Sequence, residues 1–87
     1  MSHYRISLEK CNFKTNIRVF DVEAPSVWNA AENAVVPLFG EIFEADFKVK
    51  VLGLFGINPF RKNRIELRHK RMPISAIIEV EMVCLKI

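Results

Sequence analysis

The stretch FEADFKVKV, Phe43 to Val51, puts Phe43, Ala45, Phe47, Val49 and Val51 on one parity and Glu44, Asp46, Lys48 and Lys50 on the other. Strict alternation of this kind fits a strand with one buried and one solvated face, and it fits no buried helix face. The same period recurs. Tyr4, Ile6 and Leu8 alternate with Arg5, Ser7 and Glu9. An extended run follows from Ile17 to Val22, after the turn-like FKTN, which predicts an N-terminal hairpin. Ile65, Leu67 and His69 alternate with Arg64, Glu66, Arg68 and Lys70. In the last stretch Ala76, Ile78, Val80, Met82 and Cys84 share one face. Ile77, Glu79, Glu81, Val83, Leu85 and Ile87 share the other, charged in its middle and apolar at its end.

Only one segment has the helical period. Trp28, Ala31, Val35 and Leu38 follow one another at spacings of 3, 4 and 3. Ser26 is placed to cap the first turn, so Trp28, Ala31 and Val35 are expected to face the core. Pro37 cannot donate to the helical ladder and disfavours helical geometry at Val36, so the helix ends or kinks there, and Gly40 turns the chain away. The order is β-β-α-β-β-β. The fold class this predicts is α+β, a mostly antiparallel sheet of about five strands with one helix on one face. All 87 residues are read as one small domain.

The apolar fraction is 51% and the mean hydropathy +0.14, high for a chain too short to bury so much apolar surface by itself. One short helix covers one face of a sheet, and the last strand is apolar on both sides toward its end. Homo-oligomerisation is therefore expected. The longest apolar runs, AVVPLFG and VLGLFGINPF, fall far short of the roughly 20 residues that span a bilayer. The N-terminus lacks the apolar run of a signal peptide. Cys11 and Cys84 stand far apart with no CxxC spacing, which suits reduced thiols in a cytoplasmic protein.

The charge is uneven. Between Arg61 and Arg71 lie six cations (Arg61, Lys62, Arg64, Arg68, Lys70 and Arg71) against the single anion Glu66, although the whole chain is only +3. Part of this window is expected to be a self-neutralised sheet face. If the strands at 43–51 and 64–70 pair with Val49 opposite Ile65, then Lys48 meets Glu66, Asp46 meets Arg68 and Glu44 meets Lys70. Glu79 and Glu81 on the last strand can add to this beside Arg68 or Lys70. The tip remains: Lys50 facing Arg64, and Arg61 and Lys62 without acidic partners, in a loop that also holds Phe55, Ile57 and Phe60. Cations beside aromatics on a loop suit single-stranded nucleic acid, since charges track phosphates and rings stack on bases. The bland alternative is that Phe55 and Phe60 fold back over the core. The candidate nucleic-acid-binding residues are thus Lys50, Phe55, Phe60, Arg61, Lys62, Arg64, Arg68, Lys70 and Arg71. Asp21, Glu23, Glu32, Glu41, Glu44 and Asp46 lie in a stretch free of Lys and Arg, which makes the molecule dipolar.

Other chemistry finds no support. His3 and His69 have no partners at metal-ligand spacing, and His69 falls on the core parity. No serine or cysteine sits in a nucleophile motif, and Gly40, Gly53 and Gly56 form no phosphate loop. No metal, cofactor or catalytic residue is expected. The leading expectation is a non-enzymatic nucleic-acid-binding protein. The alternatives are a protein-interaction module, such as an inhibitor or adaptor encoded by a phage or mobile element, and a structural assembly subunit.

Overall fold

The computed structural model describes residues 1–40 and 46–85. Glu41, Phe43, Glu44, Ala45 and Ile87 from the reading above lie outside the described residues. The elements are β1 (Ser2–Cys11), β2 (Val19–Ala24), α1 (Val27–Asn33), α2 (Val35–Phe39), β3 (Phe47–Leu52), β4 (Asn63–His69) and β5 (Ser75–Leu85). The five strands form one antiparallel sheet in the order β2-β1-β5-β4-β3 with the helical segment on one face, so the α+β class and the element order hold. No helix among the described residues is long and apolar enough to cross a membrane.

Ser26 caps α1 as its position implies: its hydroxyl accepts from the Asn29 N–H at 3.2 Å. Pro37 has no N–H to return to Asn33, and the helical segment divides into α1 and α2 around Ala34, whose own N–H is shared between the carbonyls of Ala30 and Ala31. Gly40 closes α2 with φ 101°, a conformation that favours glycine.

The helix face differs from the expected one. Val27, Ala30, Ala31, Ala34, Val35 and Leu38 are buried, while Trp28 is 41% exposed. The reason is size. The alanines at 30, 31 and 34 are wholly buried, so the helix backbone lies close to the sheet, and a stripe centred on them turns Trp28 to the flank. The spacing from Trp28 to Val35 was helical, but the adjoining Val27–Ala30–Ala31–Ala34 stripe fits the sheet better.

Under the helix lie Tyr4, Ile6, Ile65, Leu67, Ile78 and Val80, all buried. Phe39 of α2 packs between Phe13 and Phe47 in tilted contacts, with ring centroids 4.7 and 4.1 Å away, and Phe47 meets His69 edge-on. The opposite face of the sheet is charged. There Arg5 donates to both oxygens of Asp21, at 3.1 and 3.4 Å, and holds the Asp21 carboxyl below the usual carboxylate range. Ile77 is half-buried on this face and Val83 is 41% exposed.

Leu67→Ala is expected to lose about 2–5 kcal/mol in urea unfolding. Trp28→Ala is expected to lose no more than about 1 kcal/mol, with a native Trp fluorescence open to aqueous quencher. The Asp21 carboxyl is depressed in the folded state, so its contribution is present above the ordinary carboxylate pKa and is lost as pH falls through the lowered value. Asp21→Asn should flatten the acid limb of stability against pH, by a small amount because the pair is exposed.

Candidate functional site

The β3–β4 hairpin positions the tip. Its register is Phe47↔His69, Lys48↔Arg68, Val49↔Leu67, Lys50↔Glu66, Val51↔Ile65 and Leu52↔Arg64. This differs by two residues from the expected pairing. An even slip leaves every side chain on its predicted face, so alternation alone does not oppose it. It does change the charge pairs. Lys48 faces Arg68 instead of Glu66, Asp46 does not face Arg68, and Lys50 faces Glu66 instead of Arg64. The expected neighbours on β5 change as well: Glu79 lies beside Arg64, and Arg68 lies beside Ser75.

The turn that leads into β4 is held by Asn63, which the sequence reading passed over. Asn63 is buried at the head of β4 and on its core parity. Its Oδ1 accepts from the Asn58 N–H at 2.7 Å. Its Nδ2 donates to the carbonyls of Asn58 and Arg61 at 2.8 and 2.9 Å, and to that of Val80 at 3.5 Å. Within the loop, Asn58–Pro59–Phe60–Arg61 is a β-turn: the Arg61 N–H donates to the Asn58 carbonyl at 3.3 Å, and the Phe60 N–H donates to Asn58 Oδ1 at 2.9 Å. Proline at the second turn position and asparagine at the first are the residues that such a turn favours. Gly56, at φ 71°, supplies the left-handed step before it. A polar residue at a core position, next to the Asn-Pro of GINPFRKN, is the signal that could have revealed this loop.

A hydrogen-bonded loop thereby presents its apolar side chains to water. Leu54 is 94%, Phe55 97% and Phe60 85% exposed. The alternative in which Phe55 and Phe60 fold over the core does not occur. Burial of such side chains is normally favourable by about 1.5–3 kcal/mol each, and these three are the most exposed large apolar side chains among the described residues.

The cations fall into two groups. Lys48, Lys50 and Arg61 are exposed and have no ion-pair partner among the described residues. Others are paired. Arg64 reaches across β5 to grip Glu9 with two bonds, at 2.9 and 3.1 Å. Lys62, expected to lack an acidic partner, lies 4.0 Å from Glu79. Arg68 lies 3.6 Å from Glu66 along its own strand, and Arg71 donates to Asp46 at 3.0 Å. All four cations are at least half exposed, so these pairs exchange readily with solvent or a ligand.

At the far end of β4, about 20 Å from the tip at strand rise, Arg68, Lys70 and Arg71 line an open hollow of about 500 Å³ with Asn12 and Ser75. His69 is buried there, and its Nδ1 accepts from the main-chain N–H groups of Arg71 and Met72 at 3.0 and 2.9 Å. Asn12 holds the other wall, donating to the Pro73 carbonyl and accepting from the Ser75 N–H. The fold therefore gathers Lys50, Phe55, Phe60, Arg61, Lys62 and Arg64 at one end of the hairpin. Arg68, Lys70 and Arg71 stand at the other.

No family model, curated protein or solved structure matches the chain.

Asn63→Ala is expected to leave loop polar groups unpaired, to cost about 1–3 kcal/mol, and to open residues 53–62 to proteolysis under native conditions. A loop as protease-resistant as the parent's would show that Asn63 does not hold it.

Proposed function

We propose that the protein is a non-enzymatic nucleic-acid-binding protein that takes a single strand along the β3–β4 hairpin. The observation that carries this reading is the tip. Two phenylalanine rings stand almost fully exposed on a hydrogen-bonded loop beside Arg61, and Lys50 and Lys48 continue the line of positive charge down β3. Bases offer a π-face to such rings whatever their identity, and cations in line follow the phosphates. A loop already held by Asn63 loses little conformational entropy on binding. Arg64, Lys62, Arg68 and Arg71 widen the positive surface once their exposed partners are displaced.

A second reading is a protein-interaction module, an inhibitor or adaptor. Leu54 favours it. This side chain is aliphatic, cannot stack on a base, and is as exposed as the aromatics. The ion pairs that neutralise much of the basic window favour it too.

Fluorescence anisotropy with labelled DNA and RNA homopolymers, at two salt concentrations, separates the two. Under the first reading Lys50→Ala with Arg61→Ala reduces the salt slope by about two and weakens binding to all sequences alike. Phe60→Ala costs about 1–3 kcal/mol of single-strand affinity. Arg71→Ala leaves most of the binding in place. Absence of binding to every homopolymer at low salt would overturn this reading and leave the protein-contact tip in its place.

A further inference from the structure

The sheet has two free edges, and they carry opposite charge. β2 and β3 are the outermost strands, and among the described residues no main-chain hydrogen bond reaches the outer side of either. On the open face β2 carries Asp21 and Glu23, and β3 carries Lys48 and Lys50. On the helix face both edges are apolar, with Phe20 and Val22 on β2 and Phe47, Val49 and Val51 on β3. All five are half-buried, whereas Ile6, Ile65 and Ile78 of the inner strands are fully buried. The apolar layer thus runs out to both edges and is left partly uncovered there. Neither edge strand contains proline, the simplest block to further pairing.

We infer that copies of this chain join edge to edge, the β2 edge of one against the β3 edge of the next, in an open head-to-tail series. Geometry selects this arrangement over the alternatives. Each neighbouring pair of strands is antiparallel, so β2 and β3, four steps apart, run in the same direction. A copy placed beside the first with its helices on the same side therefore brings its β2 parallel to β3. One register sets Asp21 beside Lys48 and Glu23 beside Lys50 on the open face. The same register sets Phe20 beside Phe47, Val22 beside Val49 and Ala24 beside Val51 under the helices. Antiparallel docking of these two edges would turn one helix layer to the opposite side and bring apolar side chains against charged ones.

Closed dimers are disfavoured by charge. Two β3 edges would bring lysines against lysines, and two β2 edges would bring carboxylates against carboxylates. The contact between unlike edges is heterologous, and such contacts propagate into open chains unless their rotation closes a ring.

The test needs no nucleic acid and is independent of the function proposed above. Sedimentation velocity of the full chain, over a concentration series in low salt, is expected to show species growing beyond the dimer, and added salt is expected to shrink them. Glu23→Lys and Lys50→Glu each set like charges together and are expected to weaken association by on the order of tenfold. The double variant Glu23→Lys with Lys50→Glu exchanges the two charges and is expected to restore it. Circular dichroism of each variant confirms the fold, and recovery in the double variant excludes misfolding as the cause of loss in the singles. A chain that stays monomeric at hundreds of micromolar in low salt overturns the inference. Growth that stops at a dimer, or a double variant no better than the singles, does the same.

Discussion

The first and last strands of the chain form the middle of the sheet, and everything else is arranged around that pairing. β1 and β5 lie side by side from Ser2 opposite Leu85 to Cys11 opposite Ala76, with irregularities at His3/Tyr4 and Leu8/Lys10. Ile6 and Val80 face each other within it, both fully buried. Closing a loop of this length is entropically costly, and the cost is offset only when the apolar row on each strand meets the other and the helix together. With β1 and β5 joined, β2 can add on only one side and β4 on the other. The hairpin that bears the tip is thereby carried to the edge of the molecule. The bulge between Leu8 and Lys10 also brings Glu9 within reach of Arg64 across β5, tying the two halves of the sheet on its open face.

The tip depends on a second, smaller constraint. Ten residues between β3 and β4 could not hold a defined shape on their own. Asn63 gives them one because it sits where water cannot compete for its amide, and it satisfies both ends of the Asn58–Arg61 turn at once. A buried asparagine without partners would be destabilising; with the turn folded upon it, its amide oxygen and nitrogen are both satisfied. The result is a loop, hydrogen-bonded at its Asn58–Arg61 turn, whose apolar side chains are turned outward. That is the arrangement expected of a contact surface and not of a connector.

The two outer strands carry opposite charge, Asp21 and Glu23 on β2 and Lys48 and Lys50 on β3, while the inner strands β1 and β4 mix both signs. Ion pairs such as Arg64 with Glu9 and Lys62 with Glu79 tie the hairpin to β1 and β5. A field of this kind orients whatever approaches, a polyanion toward the hairpin or a second copy toward the complementary edge. Both proposals draw on Lys50, so a ligand on the hairpin and a neighbouring copy would meet at the same residue.

Periodicity alone determined the strands, their faces, the capped start of the helix at Ser26 and its interruption near Pro37, because these depend on backbone geometry within a few residues. Parity also gave the core position of His69, and local composition singled out the basic, aromatic tip. The tertiary structure decided the rest. Alternation fixes which face a residue takes but is blind to a slip of two, so the β3–β4 register was decided only in the assembled sheet. Helical spacing admitted the Trp28 stripe, but the small alanines packed closer and won the sheet. The partners of Arg64, Lys62 and Arg71 come from Glu9, Glu79 and Asp46, distant in sequence and adjacent only once the strands are ordered. Strand order itself was not legible, because it is set by which apolar rows share one core, and a local pattern carries no record of its distant neighbours.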